Sequence, residues 1–546
     1  MHRFMKVMLG TATVAAVALA AIALPAGGAP KTRLGQGQLA HLSQAVSLRT
    51  WIANPSAAPE TLRPRIEGIR QFIGKARPLS APSRRPQRPT AGLFNADDLG
   101  LPQNEESVNA CRSDHRVALE GTNDYRGLVD PDGNFTGWHL SVDGGRSLAN
   151  EGLLPPVAIG ADQRPSGGDP VVTIDDQTCD LYMVDLNYDP NDPEGNTNGI
   201  GVYRTDAATL QSCPGGADPS CWPTRRAAAA GAPPHFLDKP WADVERSGAA
   251  GKVVWVSYSD FTSTGPGSLD FTASIFAVRC DAALTSCTAP IKISGADPDV
   301  QFSWVTIGPD GRTYLSWSEI QGELEGTPQT FVHKLRVAEP GSTTFGPTRI
   351  IATETQPLPF GGLLHANDFR VATAQKHDVA IVDGHPRIFD VWDACAERPL
   401  DTICVEPAIK LSWSDDLGAT WTTPAVISRG GDNYFPSVSS DGDGSLAVSY
   451  FTNRFDPVFH NRQDVELLTV NARNGNVRRV QRLTRTSNES EADPLLGGAF
   501  IGDYIQVFAD RGRAWTGYNA NYRSVPLLGD GTPLPQQDNY LSVDGL

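Results

Sequence analysis

Acidic side chains recur at one position of a pattern that repeats along this chain. They precede the first strand of each repeat, at Glu105, Asp169, Asp238, Asp299, Asp368, Asp432 and Asp503. Carboxylates held close together can bind Ca²⁺ or act as an acid and a base, which makes Asp169 and Asp238 candidate proton donors. Aspartate is also a common turn residue, so the alternative is that these side chains bond neighbouring backbone turns.

Arginines lie beside the ends of the second strands in three repeats, at Arg126, Arg454 and Arg523, and Arg370 begins an inner strand. Converging guanidinium groups could clamp a carboxylate, because arginine binds this group with two parallel hydrogen bonds. The three repeats are the first, sixth and seventh, which are neighbours in a closed ring. The three arginines therefore indicate a site for an anionic ligand. The alternative is that each arginine pairs with a neighbouring Asp.

An Asp- and Asn-rich stretch, DPNDPEGNTNG, begins at Asp189. Asp189 and Asp192 are candidate Ca²⁺ ligands, because Ca²⁺ takes oxygen ligands from flexible loops. The stretch lacks the spacing of an EF-hand. The sequence predicts no other cofactor.

Seven similar units must position these residues. Each has a short strand, an Asp/Gly turn and a second strand that ends in an aromatic and a polar residue, and the units start at Asn104, Asp169, Asp238, Val300, Asn367, Asp432 and Gly502. Successive starts are roughly 62 to 70 residues apart, a spacing that suits a four-stranded blade with long loops. A ring of such sheets covers every apolar face and leaves no long open edge. The pattern therefore predicts an all-β fold, a seven-bladed β-propeller.

The last unit is short and supplies three strands. We expect residues around 90–101 to add the fourth strand and close the ring. In each antiparallel blade the start of the first strand and the end of the second lie on the same face, so the candidate residues share that face with the long loops.

A turn signature accompanies several of these units. The clearest copy is SDDLGATW, from Ser414 to Trp421, and a second is SVDGGRSL, from Ser141. These copies resemble the Asp box, S-x-D-x-G-x-x-W, of sialidases and related secreted bacterial propellers. The Asp can accept backbone N–H bonds, the Gly can take a positive φ, and Trp421 is expected to be buried in the fifth blade. In that family the motif lies opposite the active site.

The resemblance implies a glycosidase, exo-sialidase-like, that uses a Tyr nucleophile and an Asp acid. Tyr504 and Tyr522 are then the candidate nucleophiles, with Asp169 or Asp238 as the acid. The first strand, NEESVNACR, lacks the Arg-Ile-Pro motif of true sialidases, and those enzymes usually have six blades. An enzyme acting on an anionic sugar and a non-catalytic propeller that binds glycan or protein both remain open.

The N-terminus predicts export. Residues 1–29 combine Arg3 and Lys6 with a short apolar run and small residues, which is typical of a signal peptide. Residues 30–89 are basic, with helical spacing around residues 38–51 and 60–76 and a Pro- and Arg-rich linker. Residues 90–546 form the predicted propeller. We expect a secreted monomer without a membrane span.

Eight cysteines suit an exported protein. The pairs Cys213–Cys221, Cys280–Cys287 and Cys395–Cys404 are close in sequence, and Cys111 and Cys179 remain to pair with each other. The net charge of −16 argues against nucleic acid as a partner, because phosphate binding needs a basic surface. The expected partner is carbohydrate, an acidic glycan in particular.

Overall fold

The fold is known over a defined part of the chain. The computed structural model describes residues 42–58, 60, 62–74, 92–191, 197–245, 252–263, 271–297, 299–322, 329–356, 362–364, 366–367, 369–371, 373–395, 406–496, 500–526 and 532–546. The predicted signal peptide, Asp192, Asp368 and Cys404 lie outside these ranges.

Strands account for nearly all of the regular structure. In chain order they are β1 (Gln103–Ala110), β2 (Ala118–Asp124), β3 (Thr136–Ser141), β4 (Asn150–Leu153), β5 (Val157–Ile159), β6 (Asp162–Arg164), β7 (Val171–Ile174), β8 (Leu181–Asn187), β9 (Asn198–Thr205), β10 (Thr224–Gly231), β11 (His235–Val244), β12 (Val253–Ser263), β13 (Phe271–Asp281), β14 (Ile291–Lys292), β15 (Val300–Ile307), β16 (Thr313–Gln321), β17 (Gln329–Ala338), β18 (Arg349–Gln356), β19 (Gly362–Leu363), β20 (Arg370–Val371), β21 (Lys376–Val382), β22 (His385–Ala394), β23 (Ala408–Ser414), β24 (Ala425–Val426), β25 (Asn433–Ser440), β26 (Ser445–Thr452), β27 (Asp464–Asn471), β28 (Val477–Arg482), β29 (Gln506–Asp510), β30 (Arg513–Pro526) and β31 (Pro533–Gly545).

These strands form a seven-bladed β-propeller, which confirms the predicted fold. Blades one to seven are the antiparallel sheets β1–β4, β7–β10, β11–β14, β15–β18, β21–β24, β25–β28 and β29–β31. Two small hairpins, β5–β6 and β19–β20, stand outside the blades. The described helices are α1 (Gln44–Ala53), α2 (Arg63–Ile73) and α3 (Ala207–Ser212), with three 3₁₀ turns at Pro55–Ala57, Tyr125–Leu128 and Ser490–Ala492.

Each inner strand is joined to the next by a side chain, and the seven junctions form one hydrogen-bonded ring. In most of them a side-chain oxygen of one blade accepts a backbone N–H of the following blade. Asp243 Oδ2 accepts from Ile307 N at 2.8 Å, for example, and Asp378 Oδ2 from Ser440 N at 2.6 Å. The residues that make these contacts are Ser107, Thr173, Asp243, Thr306, Asp378, Ser439 and Gln506.

The ring is closed by the segment that precedes β1, at the place predicted for it. Leu93 forms an antiparallel bridge with Tyr540 on the free side of β31. Phe94 N donates to Asn539 O at 3.0 Å, and Leu541 N donates to Gly92 O at 2.8 Å. Residues 92–94 therefore supply the fourth strand position of blade seven.

Disulfides fasten individual loops and one junction between blades. Cys213–Cys221 and Cys280–Cys287 close short loops, whereas Cys111–Cys179 links blade one to blade two with Cα atoms 5.4 Å apart. Cys395 is also disulfide-bonded, and its predicted partner, Cys404, is not among the described residues. Within the described ranges, no helix is long and apolar enough to cross a membrane.

Two turns of the predicted Asp-box sequence share one hydrogen-bond pattern. Ser414 Oγ accepts from Gly418 N, and Asp416 Oδ1 accepts from Thr420 N, both at 2.8 Å. Ser141 and Asp143 make the equivalent bonds in blade one. Both turns join the third and fourth strands of a blade. They therefore lie on the face opposite the starts of the inner strands.

The expectation that Trp421 is buried is wrong. Trp421 is half-buried and packs beside Leu417 at the edge of the apolar cluster between blades four and five. Its indole Nε1 donates to Gly418 O at 3.2 Å. The outer edge of a blade has no neighbouring sheet to cover it, so one side of the ring stays in water.

Candidate functional site

A repeated backbone irregularity marks the start of the inner strands. The register of first and second strands shifts by a bulge in blades one, three, four and six. One residue in each bulge has a positive φ, namely Glu105 (60°), Lys239 (50°), Phe302 (57°) and Phe435 (51°), and Asp169 (54°) occupies the same place in blade two. This conformation is costly for residues other than glycine, and bulges redirect side chains beside functional sites.

Six charged side chains gather at this end of the propeller axis, and we call them the axial cluster. They are Glu105, Asp169, Asp238, Lys239, Arg370 and Asp503. Arg370 donates two hydrogen bonds to the Asp503 carboxylate, one of them from Nε at 2.8 Å. Lys239 Nζ lies 3.2 Å from Asp503 and 3.8 Å from Asp238. All six side chains are buried or nearly so.

Polar neighbours hold the remaining carboxylates of the cluster in place. Asn123 donates to Glu105 Oε2 at 2.8 Å and accepts from the Asp169 backbone N–H at 2.9 Å. Glu105 Oε1 accepts from Asp503 N at 3.0 Å. One oxygen of Asp169 and one of Asp238, Oδ1 in each case, is buried without a hydrogen-bond partner among the described residues.

The environment separates the protonation states of these carboxyl groups. Burial raises the pKa of Asp238 to about 7, although Lys239 opposes this shift. Burial and the neighbouring Asp169 and Asp503 raise the pKa of Glu105 well above its ordinary value. Burial acts on Asp503 too, but Arg370 and Lys239 outweigh it and lower the pKa of that carboxyl. The cluster thus holds a carboxyl group with a lowered pKa next to carboxyl groups whose pKa values are raised.

Aromatic rings form the floor beneath the cluster. Trp241 and Trp304 stack with ring centroids 3.4 Å apart, and the Tyr504 ring meets Trp241 edge-on at 5.9 Å. Lys376 Nζ lies 5.1 to 5.9 Å from these three centroids and donates to Ile505 O at 3.2 Å. Burial lowers the pKa of Lys376 to about 7. Beyond this floor, an internal cavity follows the axis and is lined by residues of all seven inner strands.

The N-terminal helices lie over the cluster. Ser43, the residue before α1, donates its backbone N–H to Asp238 Oδ2 at 2.9 Å. Arg370 Nη1 donates to the carbonyl of Leu42 at 2.9 Å. The two backbone groups belong to one peptide unit, which is therefore held between a carboxylate and a guanidinium group.

Four of the predicted site residues meet in this region. Asp169, Asp238 and Arg370 belong to the axial cluster. Tyr504 lies beside it and donates its hydroxyl to Pro170 O at 2.7 Å. Burial, together with Glu105 and Asp169, raises the pKa of the Tyr504 phenol well above its ordinary value.

The other predicted residues stand apart from the cluster. Tyr522 packs against Tyr540 in blade seven, with ring centroids 5.1 Å apart. Arg126, Arg454 and Arg523 each pair with a carboxylate of their own blade. The pairs are Arg126 with Asp124 and Glu151, Arg454 with Glu466, and Arg523 with Asp538. Arg523 also donates to the carbonyl of Asp97, in the segment that closes the ring.

The proposed Ca²⁺ loop is described only in part. Asp189 Oδ1 accepts from Asn191 N at 2.9 Å, and Asp189 Oδ2 lies 3.7 Å from Arg164. Asp192 is outside the described residues. Among those described, no group of three or more Asp, Glu, His or Cys side chains is arranged to hold a metal ion.

The sequence pattern does not identify three members of the cluster as site residues, namely Lys239, Glu105 and Asp503, although both acids belong to the predicted acidic ring. The signal for Lys239 was the segment DKPW, where a lysine directly precedes a proline at the start of an inner strand. Asp432, another member of the acidic ring, instead accepts the backbone N–H of Glu406 at 2.8 Å. Asp432 thus bonds neighbouring backbone, which is the alternative that the sequence left open.

The fold and the site together define a seven-bladed β-propeller with a buried charged centre at one end of its axis. Comparison with protein families and with curated proteins finds no match. Solved structures of similar fold include the Hadza microbial sialidase Hz136, at 12% identity and a TM-score of 0.42 over 85% of this chain and 96% of that one. The phage phi92 endosialidase has 10% identity and a TM-score of 0.42 over 83% and 68%.

A protein of unknown function from Dyadobacter fermentans has 11% identity and a TM-score of 0.44 over 72% of this chain and 98% of its own. At such identities the likeness is one of fold and does not extend to activity.

Proposed function

We propose that this protein is a secreted glycan-active hydrolase, a glycosidase for an anionic sugar, with the axial cluster as its acid and base. One observation carries the proposal. Asp238 and Asp503 both contact Lys239, yet the pKa of Asp238 is raised to about 7 and that of Asp503 is lowered. Neighbouring carboxyl groups with pKa values displaced in opposite directions are the usual means of glycoside hydrolysis.

In this proposal the two carboxyl groups have different tasks. Asp238 is the proton donor to the leaving glycosidic oxygen, because it keeps its proton near neutral pH. Asp503 is the ionised partner that stabilises the positive charge developing on the sugar ring or activates water. Arg370 and Lys239 hold Asp503 in its orientation.

The same cluster suits an anionic substrate. The raised pKa values of Glu105 and Asp238 reduce the negative charge that these two groups place beside Arg370 and Lys239. Arg370 Nε and Nη2 already donate to Asp503, so a sugar carboxylate would bind at Nη1, in the place that Leu42 O takes here.

The finer proposal, an exo-sialidase-like reaction, makes Tyr504 the nucleophile. A phenol with a raised pKa needs a base to ionise it, and Tyr504 donates instead to the Pro170 carbonyl. We therefore favour a reaction of the two carboxyl groups, with Tyr504 as part of the aromatic floor. The variant Tyr504→Phe distinguishes these two roles. If Tyr504 is the nucleophile, the variant should lose all activity, whereas if it is part of the aromatic floor, KM should change more than kcat.

A panel of chromogenic glycosides and acidic polysaccharides tests the main proposal. We expect turnover of an acidic sugar by the full chain that falls by about 10²- to 10⁴-fold in Asp238→Asn. The matched control is Asp415→Asn on the opposite face, where the carboxylate pairs with Arg387 and is half exposed. Equal loss in both variants, or no loss in Asp238→Asn, would contradict the proposal.

A non-catalytic glycan-binding propeller is the second candidate. It is favoured by the pairing of all four predicted arginines, which leaves none of them as an unengaged anion clamp. Binding to an immobilised acidic glycan without product formation, retained in Asp238→Asn, would establish the binder. The disulfides support the proposal of an oxidising, extracellular location. We propose a monomer, which light scattering of the purified protein would test.

A further inference from the structure

The described residues of 42–74, which we call the helical segment, pack onto the face that carries the axial cluster. Ala45 and Leu48 of α1 and Ile66 and Ile69 of α2 are buried in an apolar cluster of their own with side chains of the propeller. The propeller side chains in that cluster include Leu101, Tyr125, Phe135 and Leu495. The segment is thus packed as a folded part of the molecule on this face.

The start of α1 makes the contacts that a ligand of the cluster would make. Leu42 and Ser43 are fully buried, and their shared peptide unit is held by Asp238 and Arg370. The N-terminus of a helix carries partial positive charge, so it complements the carboxylates of Asp238 and Asp169. The segment therefore covers the groups to which the proposed chemistry is assigned.

A second contact fastens the segment away from the cluster. The Arg49 guanidinium lies between the rings of Phe135 and Tyr188, 4.9 and 5.1 Å from their centroids. It donates to Gly133 O at 2.5 Å and is buried. Buried cation–π contacts of this kind are stronger than exposed ones, so Arg49 anchors α1 between blades one and two.

We propose that the helical segment is an internal inhibitor, held on the axial cluster in place of a substrate and displaced before substrate binds. This inference rests on the proposed function, because it assigns regulation to the same cluster. A glycan cannot reach Asp238 or Arg370 while Leu42 and Ser43 occupy both. Activity of the full chain is therefore limited by the fraction of molecules in which α1 has left the cluster.

The variant Ser43→Pro tests this contact with little change elsewhere. Proline has no N–H, so the bond to Asp238 is lost, while the φ of −47° at Ser43 is near the value that proline requires. Ser43→Ala is the matched control, because it keeps the N–H and the Ser43 side chain makes no capping bond. Amide hydrogen exchange of residues 44–53 and carbodiimide labelling of Asp238, both read by mass spectrometry, report displacement without any substrate.

We expect exchange and labelling to rise by about 10-fold in Ser43→Pro, as for the loss of one buried hydrogen bond. Ser43→Ala should match the wild type. Turnover in the glycoside panel should rise with the labelling. If Ser43→Pro exchanges and labels like Ser43→Ala, or if all three chains turn over substrate at the same measurable rate, the inhibitor proposal is overturned.

The two proposals can fail separately. Increased labelling in Ser43→Pro without turnover by any chain supports displacement from the cluster and overturns the glycosidase. Equal, measurable turnover by the wild type and Ser43→Pro would support the glycosidase and overturn the inhibitor proposal. Should Ser43→Pro not fold, Arg49→Ala replaces it, with Arg70→Ala as its control, since Arg70 is exposed and pairs with Glu67 of its own helix.

Discussion

At the residue scale, the centre of the molecule is unusual for the number of titratable groups that it buries. Among the residues that the structure describes, no carboxylate lies within ion-pairing distance of Lys376, and its amine faces three aromatic rings and donates to one carbonyl. Folding therefore favours the neutral amine. Because the pKa of Lys376 differs between the folded and unfolded states, its charge state can be detected in the pH dependence of the free energy of unfolding.

Lys376→Met is expected to flatten the pH dependence of stability above about pH 8. The pKa of Lys376 is lowered from 10.5 to about 7 in the folded protein. Between these two pH values the unfolded chain therefore carries a proton on Lys376 that the folded protein lacks. Wild-type stability should then rise with pH, by about 2 kcal/mol from about pH 8 to about pH 9.5. The buried Asp393, with a pKa raised to about 8, acts in the opposite direction below that window.

Urea denaturation at several pH values within this window measures the effect. The exposed residue of the same type, Lys292, supplies the control variant Lys292→Met. A slope in Lys376→Met equal to that of the wild type would mean that Lys376 is not neutral in the folded protein.

Arg126 has a structural position, between Asp124 and Glu151, and both acids are buried. Replacing it by Ala leaves these charges without their partner, so we expect a loss of about 3–5 kcal/mol in the free energy of unfolding. The exposed pair Arg116–Asp114 is the comparison, and Arg116→Ala should leave the free energy of unfolding almost unchanged, because solvent screens the pair. A stable Arg126→Ala protein with weakened binding of an acidic glycan would instead support the anion clamp.

At the scale of the element, two of the tryptophans of blade five, Trp392 and Trp421, allow a direct comparison. Trp392 lies on the second strand and is fully buried, whereas Trp421 follows the Asp-box turn and is half-buried. Trp392→Ala is expected to cost about 3–5 kcal/mol, and Trp421→Ala about half as much. Chemical denaturation of both variants measures the difference. Equal losses would show that the turn, and not the area buried, determines the cost at Trp421.

The strands were predictable from the sequence because they follow a repeated local pattern. Six of the seven inner strands begin close to the start of their predicted unit, and residues near 93 close the ring as expected. The prediction that Arg370 begins an inner strand is wrong, because Arg370 lies in the β19–β20 hairpin and the inner strand of blade five begins at Lys376. The site was harder to predict, because a bulge decides which side chain reaches the axis. In DKPW the bulge brings Lys239 to the cluster beside Asp238. A bulge shifts the register by one residue, and no residue type specifies it alone.

Long-range packing accounts for what the sequence did not predict. Helical spacing indicated α1 and α2, but nothing in that spacing shows that Ser43 meets Asp238, 195 residues away. The arginines of blades one, six and seven are in neighbouring blades, as the repeat implies. Each arginine nevertheless pairs with a carboxylate of its own blade, because these carboxylates lie closer to it than a point on the axis that all three arginines would share.

At the scale of the whole molecule, the disulfides differ in what they connect. Cys111–Cys179 spans 68 residues and joins two blades, whereas Cys213–Cys221 spans 8 residues within one. Loop-closure entropy predicts a loss of about 4 kcal/mol for replacing the first pair by serines and about 2.5 kcal/mol for the second. Thermal and chemical denaturation of the two double variants would test this order. A larger loss for the short loop would contradict it.

The bridge between Leu93 and Tyr540 joins the two ends of the propeller sequence. Phe94 and Asn539, which bond beside it, are 445 residues apart in the chain. Contacts between such distant residues form late and slow the folding of the domain. A chain synthesised from its N-terminus therefore carries an unpaired strand at residues 92–94 until the last strand has been made. The time needed to complete blade seven sets how long the nascent protein exposes two open sheet edges to aggregation.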